Sequence, residues 1–215
     1  MKTNLFIAAL SLVVLAGCSS EDEVGTLVAK NDNVINFTTY VGKQTKAAVE
    51  GTALPAKAEF GVFAYNTKEA LWNASATSAT PNFMYNQKVT FDGANYTYSP
   101  VKYWPNAEKV SFIGYYPFPT ETNGVSVSST FTNKSTGLPK IEFTIPSSEN
   151  GVTDLLVSTV ANDKSKETVS LTFQHVLSKV KFSAQTIAEG STVTINTITL
   201  TGIKNGGTYD CIDSH

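Results

Sequence analysis

Ala58-Glu59-Phe60-Gly61-Val62-Phe63-Ala64-Tyr65 is apolar at nearly every position. A β-strand sends alternate side chains to opposite faces, so Phe60 and Val62 share one face while Phe63 and Tyr65 share the other. A strand apolar on both faces must be covered on both, which puts it in the centre of a packed sheet. The stretches around it keep the period of two. Ile35, Phe37, Thr39 and Val41 form one face of a first strand over Val34 to Val41. Tyr85, Val89 and Phe91 lead into Asp92-Gly93, followed by Tyr96 and Tyr98, which is a hairpin pattern. Val110, Phe112 and Tyr116 alternate up to Pro117-Phe118-Pro119, where the missing N–H groups force the chain out of a sheet.

Further along, Ile141, Phe143 and Ile145 alternate with Glu142 and Thr144, between Pro139 and Pro146. Val169, Leu171, Phe173 and His175 share a face, and Val180 and Phe182 follow against Lys179 and Lys181. Val193 and Ile195 are succeeded by Ile198 and Leu200, whose parity is shifted by one, so a bulge or strand change is expected near Asn196. Only Thr67 to Asn73 reads as helical. Some ten short strands punctuated by Gly, Pro, Asn and Asp predict an all-β, antiparallel β-sandwich.

Composition agrees with sheet. The 215 residues hold 28 Thr, 12 Phe and 9 Tyr, and 41% of the chain is hydrophobic against 16% charged. Such a balance buries a core instead of remaining disordered. All sixteen basic residues are Lys, and the net charge is −2. Without Arg there are no guanidinium forks for phosphate or guanine, and without a basic field no nucleic-acid partner is expected.

The chain opens with Lys2 and an apolar run from Leu5 to Leu15, too short for a transmembrane helix and suited to a secretory signal. Leu15-Ala16-Gly17-Cys18 resembles the lipobox of bacterial lipoproteins, in which the thiol, here of Cys18, receives the lipid. Residues 1–17 are thus expected to be removed and 18–32 to form a lipidated tether. Ser19-Ser20-Glu21-Asp22-Glu23 resembles the acidic signal that exports Bacteroidetes lipoproteins to the outer face of the outer membrane. No later apolar run approaches the length needed to span a bilayer.

Motifs of catalysis are missing. The sequence has no Gly-x-Ser-x-Gly elbow, no phosphate loop, no dinucleotide turn and no His-Glu-x-x-His pair. Its two His are His175, whose place on an apolar face predicts a core or edge imidazole satisfied by backbone, and His215. Cys211, Asp213 and His215 would share one side of a strand, a metal half-site outweighed by ordinary strand alternation. Neither enzymatic activity nor a cofactor or metal is expected. Trp72, Tyr103, Trp104, Tyr115 and Tyr116 are candidates for a sugar-stacking platform if exposed, and core otherwise. Asn-x-Ser/Thr sequons at Asn36, Asn73, Asn95 and Asn133 are incidental behind a bacterial lipobox.

Phe63-Ala64-Tyr65, Tyr103-Trp104-Pro105, Phe112-Ile113-Gly114-Tyr115-Tyr116-Pro117, Asp154-Leu155-Leu156 and the run Leu171 to Val180 occur in an order that resembles the fimbrillin family of Bacteroidales. The resemblance implies a transthyretin-like N-terminal β-sandwich, here residues 33–185, followed by a second β-domain that residues 186–215 begin and do not finish. It implies a structural or adhesive subunit, or anchor, of a surface fimbria, lipid-anchored in the outer membrane through Cys18. Its partners would be other subunits joined by β-strand addition, with a host or bacterial surface ligand as a further one. The exchangeable strand would be Val34 to Val41, with Ile35, Phe37, Thr39 and Val41 as its inward row. Processing would fall in the loop that follows, at Lys46 and Ala47, where family members cut by an Arg-specific protease carry the Arg this chain lacks. Either a Lys-accepting protease acts there, or the strand stays in place, as would suit an anchor. A cell-surface glycan- or ligand-binding lipoprotein is the alternative reading.

Overall fold

The computed structural model describes residues 33–42, 52–146, 154–178, 180, 182–185 and 194–211. Among the described residues eleven strands carry the fold: β1 Phe37–Val41, β2 Glu59–Lys68, β3 Met84–Phe91, β4 Tyr96–Thr97, β5 Lys109–Tyr116, β6 Val125–Val127, β7 Lys140–Thr144, β8 Leu156–Ser158, β9 Ala161–Lys164, β10 Val169–His175 and β11 Gly206–Asp210. Seven of them form a continuous path, β1-β10-β8-β5-β2-β3-β4, with β9 also paired to β5, and the remaining three form a second sheet, β11-β7-β6. Fold class is all-β, as the strand periodicity predicts.

The doubly apolar stretch lies at the middle. β2 pairs with β3 on one side and β5 on the other. Phe60, Val62 and Ala64 join one buried cluster and Phe63 and Tyr65 a second, on opposite faces of the large sheet. β5 does the same, with Val110 and Phe112 in the first cluster and Ile113 and Tyr115 in the second. The second cluster is closed by Val125, Ile141 and Phe143 from the three-stranded sheet. The first is closed by the large sheet's own curl. Its two end strands approach until Thr39 of β1 and Tyr96 of β4 share a 2.8 Å hydrogen bond between their hydroxyls.

Several expectations are modified by local chemistry. The sheet is antiparallel except at β1, which runs parallel to β10 with Phe37 opposite Val169 and Val41 opposite Phe173. Strands β2 to β9 lie between these two strands in sequence, so no tight turn dictates their relative sense. Thr67 and Lys68, expected in a helix, extend β2, because Lys68 pairs with Lys109 of β5. The helix is a single turn, α1 Trp72–Ser75. In the hairpin, Asp92 Oδ1 accepts from the Ala94 and Asn95 amides at 2.8 and 2.7 Å, an Asx turn that also lowers the pKa of its carboxyl group. Asn86, at φ 46°, inserts a residue into β3, so Tyr85 packs on Phe63 of the second cluster while Met84 and Val89 join the first.

Residues 206–210 lie within the segment expected to open a second domain, yet β11 is hydrogen-bonded along β7 in the three-stranded sheet, with Gly206 opposite Thr144 and Asp210 opposite Lys140. The stretch before it behaves differently. Ile195, Ile198, Leu200 and Ile203 are about half exposed, and residues 194–205 belong to no strand. Val180 and Phe182 are likewise exposed.

Glycine is required at Gly61 by a close approach. A Cβ there would lie 2.6 Å from Tyr115 Cζ, in a ring whose hydroxyl is held by a 2.6 Å hydrogen bond to Asn86 Oδ1. Gly61→Ala is therefore expected to destabilise the fold by about 2 kcal/mol through overpacking, read as a lower urea midpoint at unchanged m-value. An unchanged midpoint would mean that Tyr115 moves aside at no cost.

Candidate functional site: the seat of the first strand

Ile35 and Val41 are fully buried and Phe37 is 4% exposed, whereas Thr39 is half-buried. Beneath them lies the first cluster. The Phe37 ring stands edge-on to Tyr98 at 5.6 Å and to Phe112 at 5.9 Å, and Trp104 packs edge-on against Phe112 at 5.8 Å. β10 supplies Val169, Leu171 and Phe173 to the same cluster.

The backbone of this segment is held on two sides by different means. Towards β10 the ladder is extended at both ends, with the Val169 amide donating to the Asn36 carbonyl at 2.8 Å and the Gly42 amide to the Phe173 carbonyl at 2.9 Å. On the other side side chains and a loop take over. The Ile35 amide donates to the Lys102 carbonyl, the Trp104 amide to the Asn33 carbonyl, and the Tyr98 hydroxyl to the Ile35 carbonyl at 2.7 Å. Burial raises the pKa of the Tyr98 hydroxyl. At the far end the Val41 amide donates to the Thr52 carbonyl, and Leu54 of that segment is buried in the same cluster. Thus β1 is at once an edge strand and part of a core, a rare combination because edges are normally blunted by charge or brevity.

Just past β1 lies a buried acid–base pair. His175 Nδ1 and Asp154 Oδ2 are 2.6 Å apart, with 1% and 5% of their side chains exposed. One proton lies between the two atoms, and with the carboxyl ionised it is Nδ1 that donates, because a carboxylate only accepts. The partner of His175 is thus a carboxylate, where backbone was expected. Nε2 is buried with no hydrogen-bond partner among the described residues. Tyr116 sits close by, its hydroxyl pKa raised by burial and then by the Asp154 carboxylate. The pair joins the entry of β8 to the end of β10, where His175 faces Leu156.

Other sequence candidates are placed as follows. Cys18, Lys46, Ala47, Asp213 and His215 lie outside the described residues. Cys211 is buried in the second cluster, and that burial raises its thiol pKa. Among the described residues no group of three or more His, Cys, Asp or Glu is placed to hold a metal ion. Trp72, Trp104 and Tyr115 are buried core residues and Tyr116 half-buried, which leaves Tyr103 as the exposed ring of the five. The rings therefore form no shared exposed platform. The hydroxyls of Tyr96 and Tyr98 carry no mark in the sequence beyond their places in a hairpin, because the curl that brings them to β1 joins strands more than fifty residues apart.

An all-β domain whose edge strand is built into its own core is the class of protein this geometry defines. Residues 45–215 match the fimbrillin-like family, and the chain belongs to it. Fimbrium subunit Fim1C of Phocaeicola vulgatus is 30% identical over 192 residues, which is 84% of this chain and 50% of the relative. The chain therefore spans about half the length of that relative. The crystal structure of a fimbrial protein from Bacteroides vulgatus superposes with a TM-score of 0.51 at 27% identity, covering 67% of this chain and 45% of that one.

Removing one partner of a buried hydrogen bond leaves the other polar group buried and unsatisfied, at a cost of about 1–3 kcal/mol. His175→Ala is expected to lose that much in urea unfolding, and Asp154→Leu in the His175→Ala background to recover part of it. A loss below about 1 kcal/mol would show that the pair contributes little.

Proposed function

We propose that this chain is a non-enzymatic structural or adhesive subunit, or the anchor, of a surface fimbria, exported as a lipoprotein precursor and joined to its neighbours by β-strand exchange. The observation that carries the reading is the seat of β1. Ile35, Phe37 and Val41 bury apolar side chains worth about 2 kcal/mol each, a sum comparable with the whole stability of many domains. Removal of β1 alone would leave an apolar groove with unpaired backbone along β10. A strand from the next subunit with the same alternation would satisfy both, which is β-augmentation. Membership of the fimbrillin-like family and the likeness to Fim1C support the same assignment.

In this proposal residues 1–17 are the export signal, Cys18 takes the lipid that anchors the precursor in the outer membrane, and 18–32 is the tether. Cleavage between Lys46 and Ala47 frees β1. Residues 186–215 begin a second β-domain, with β11 within that segment tying it to β7 of the first. A subunit that keeps β1 uncut stays at the membrane as an anchor.

Two experiments bear on this. Cells fed an alkyne palmitate should label the protein, and Cys18→Ser should abolish the label; persistence of the label in the variant would remove lipidation at Cys18. Limited trypsin treatment of the full-length chain should give a product beginning at Ala47 together with SDS-resistant oligomer ladders; Lys46→Gln should remove the Ala47 product, and Lys43→Gln with Lys46→Gln should remove the ladders as well. A cleaved product that remains monomeric would sink the role as a shaft subunit.

A further inference from the structure

We propose that Tyr96 selects the strand that occupies the β1 seat, admitting a partner subunit's strand with Ser or Thr at the inward position now held by Thr39. The inference rests on the strand-exchange reading above and adds to it the chemistry of the partner. Three inward positions are apolar: Ile35 and Val41 are fully buried, and Phe37 is wedged between Tyr98 and Phe112. The position of Thr39 differs. Its Oγ1 lies 2.8 Å from Tyr96 Oη, across the gap between the two ends of the large sheet.

Tyr96 is built to stay there. Its ring stacks on Phe91 at 4.7 Å and meets Phe60 edge-on at 6.0 Å, while its backbone pairs with Phe91 in the hairpin. The hydroxyl therefore cannot swing away without losing both ring contacts. An occupant with Val, Ile or Leu at this position would cover a half-buried hydroxyl and offer it nothing. Ser or Thr can donate to it or accept from it. Tyr98 does a different task, since its hydroxyl donates to the Ile35 carbonyl, a group that any strand supplies. Tyr98 thus holds whichever strand enters, and Tyr96 reads one side chain. Because strand side chains repeat every two residues, a slip by two would bring Phe37 or Val41 to Tyr96, so the same contact also fixes register.

The test uses the full-length chain nicked by trypsin in the loop after β1 and fluorescent peptides of residues 33–42, with entry into the seat followed by anisotropy. On the wild-type chain the Thr39 peptide and its Thr39→Ser variant are expected to bind alike, and the Thr39→Val peptide about fivefold to tenfold more weakly, the worth of one hydrogen bond. That comparison needs no change to the protein. On Tyr96→Phe the Thr and Val peptides should bind equally, and on Tyr98→Phe all three should weaken by one factor. Entry of the peptides without discrimination on the wild-type chain, or equal discrimination by wild type and Tyr96→Phe, overturns the inference and leaves strand exchange standing. Entry by no peptide on any chain overturns strand exchange, and the selection with it.

Discussion

The central strands β2 and β5 are apolar on both faces, and water must be kept from both. Phe63, Tyr65, Ile113 and Tyr115 are covered by the three-stranded sheet. Phe60, Val62, Val110 and Phe112 have no second sheet over them and are covered by the large sheet's own curl, by the Trp104 segment and by the side chains of β1. A strand as short as β1 would ordinarily contribute little at a sheet edge. Here it completes a core, because the curl brings the opposite end of the sheet, at Tyr96 and Tyr98, against its free side.

Under the strand-exchange proposal, that arrangement links stability to assembly. A core that depends on an edge strand can be completed by any strand with the same alternation, from the same chain or from another, since backbone hydrogen bonds and apolar burial do not depend on chain identity. An edge left open for long would be an aggregation hazard. In this structure β1 fills the groove itself, held by a ladder on one side and by tyrosine hydroxyls and a loop on the other. The His175–Asp154 pair ties the end of β10 to the entry of β8 next to the point where β1 ends.

Part of this site could be read directly from the sequence. The inward row of Ile35, Phe37, Thr39 and Val41 follows from period two alone, and so does the placing of His175 on the face of Leu171 and Phe173. The partner of His175 could not be read, because Asp154 lies twenty-one residues away and reaches it only through the pairing of β8 with β10. The aromatic candidates separate for a similar reason. Trp104 and Tyr103 are adjacent and point opposite ways, one into the core and one outward, and only the position of their segment against Val34 decides which is which.

By itself the sequence determined the all-β class, the central position of Ala58 to Tyr65, the turn at Asp92-Gly93 and the apolar row of the first strand. Each is a matter of local period or of a residue's own backbone preference, and such signals act over a few residues. Tertiary structure alone decided that β1 runs parallel to β10, that the large sheet curls until Tyr96 meets Thr39, that β11 joins β7, and that the buried histidine faces a carboxylate. These depend on which distant strands share a sheet and how far that sheet twists. Both are settled by the need to cover two apolar faces at once, a requirement on the whole chain that no short stretch carries.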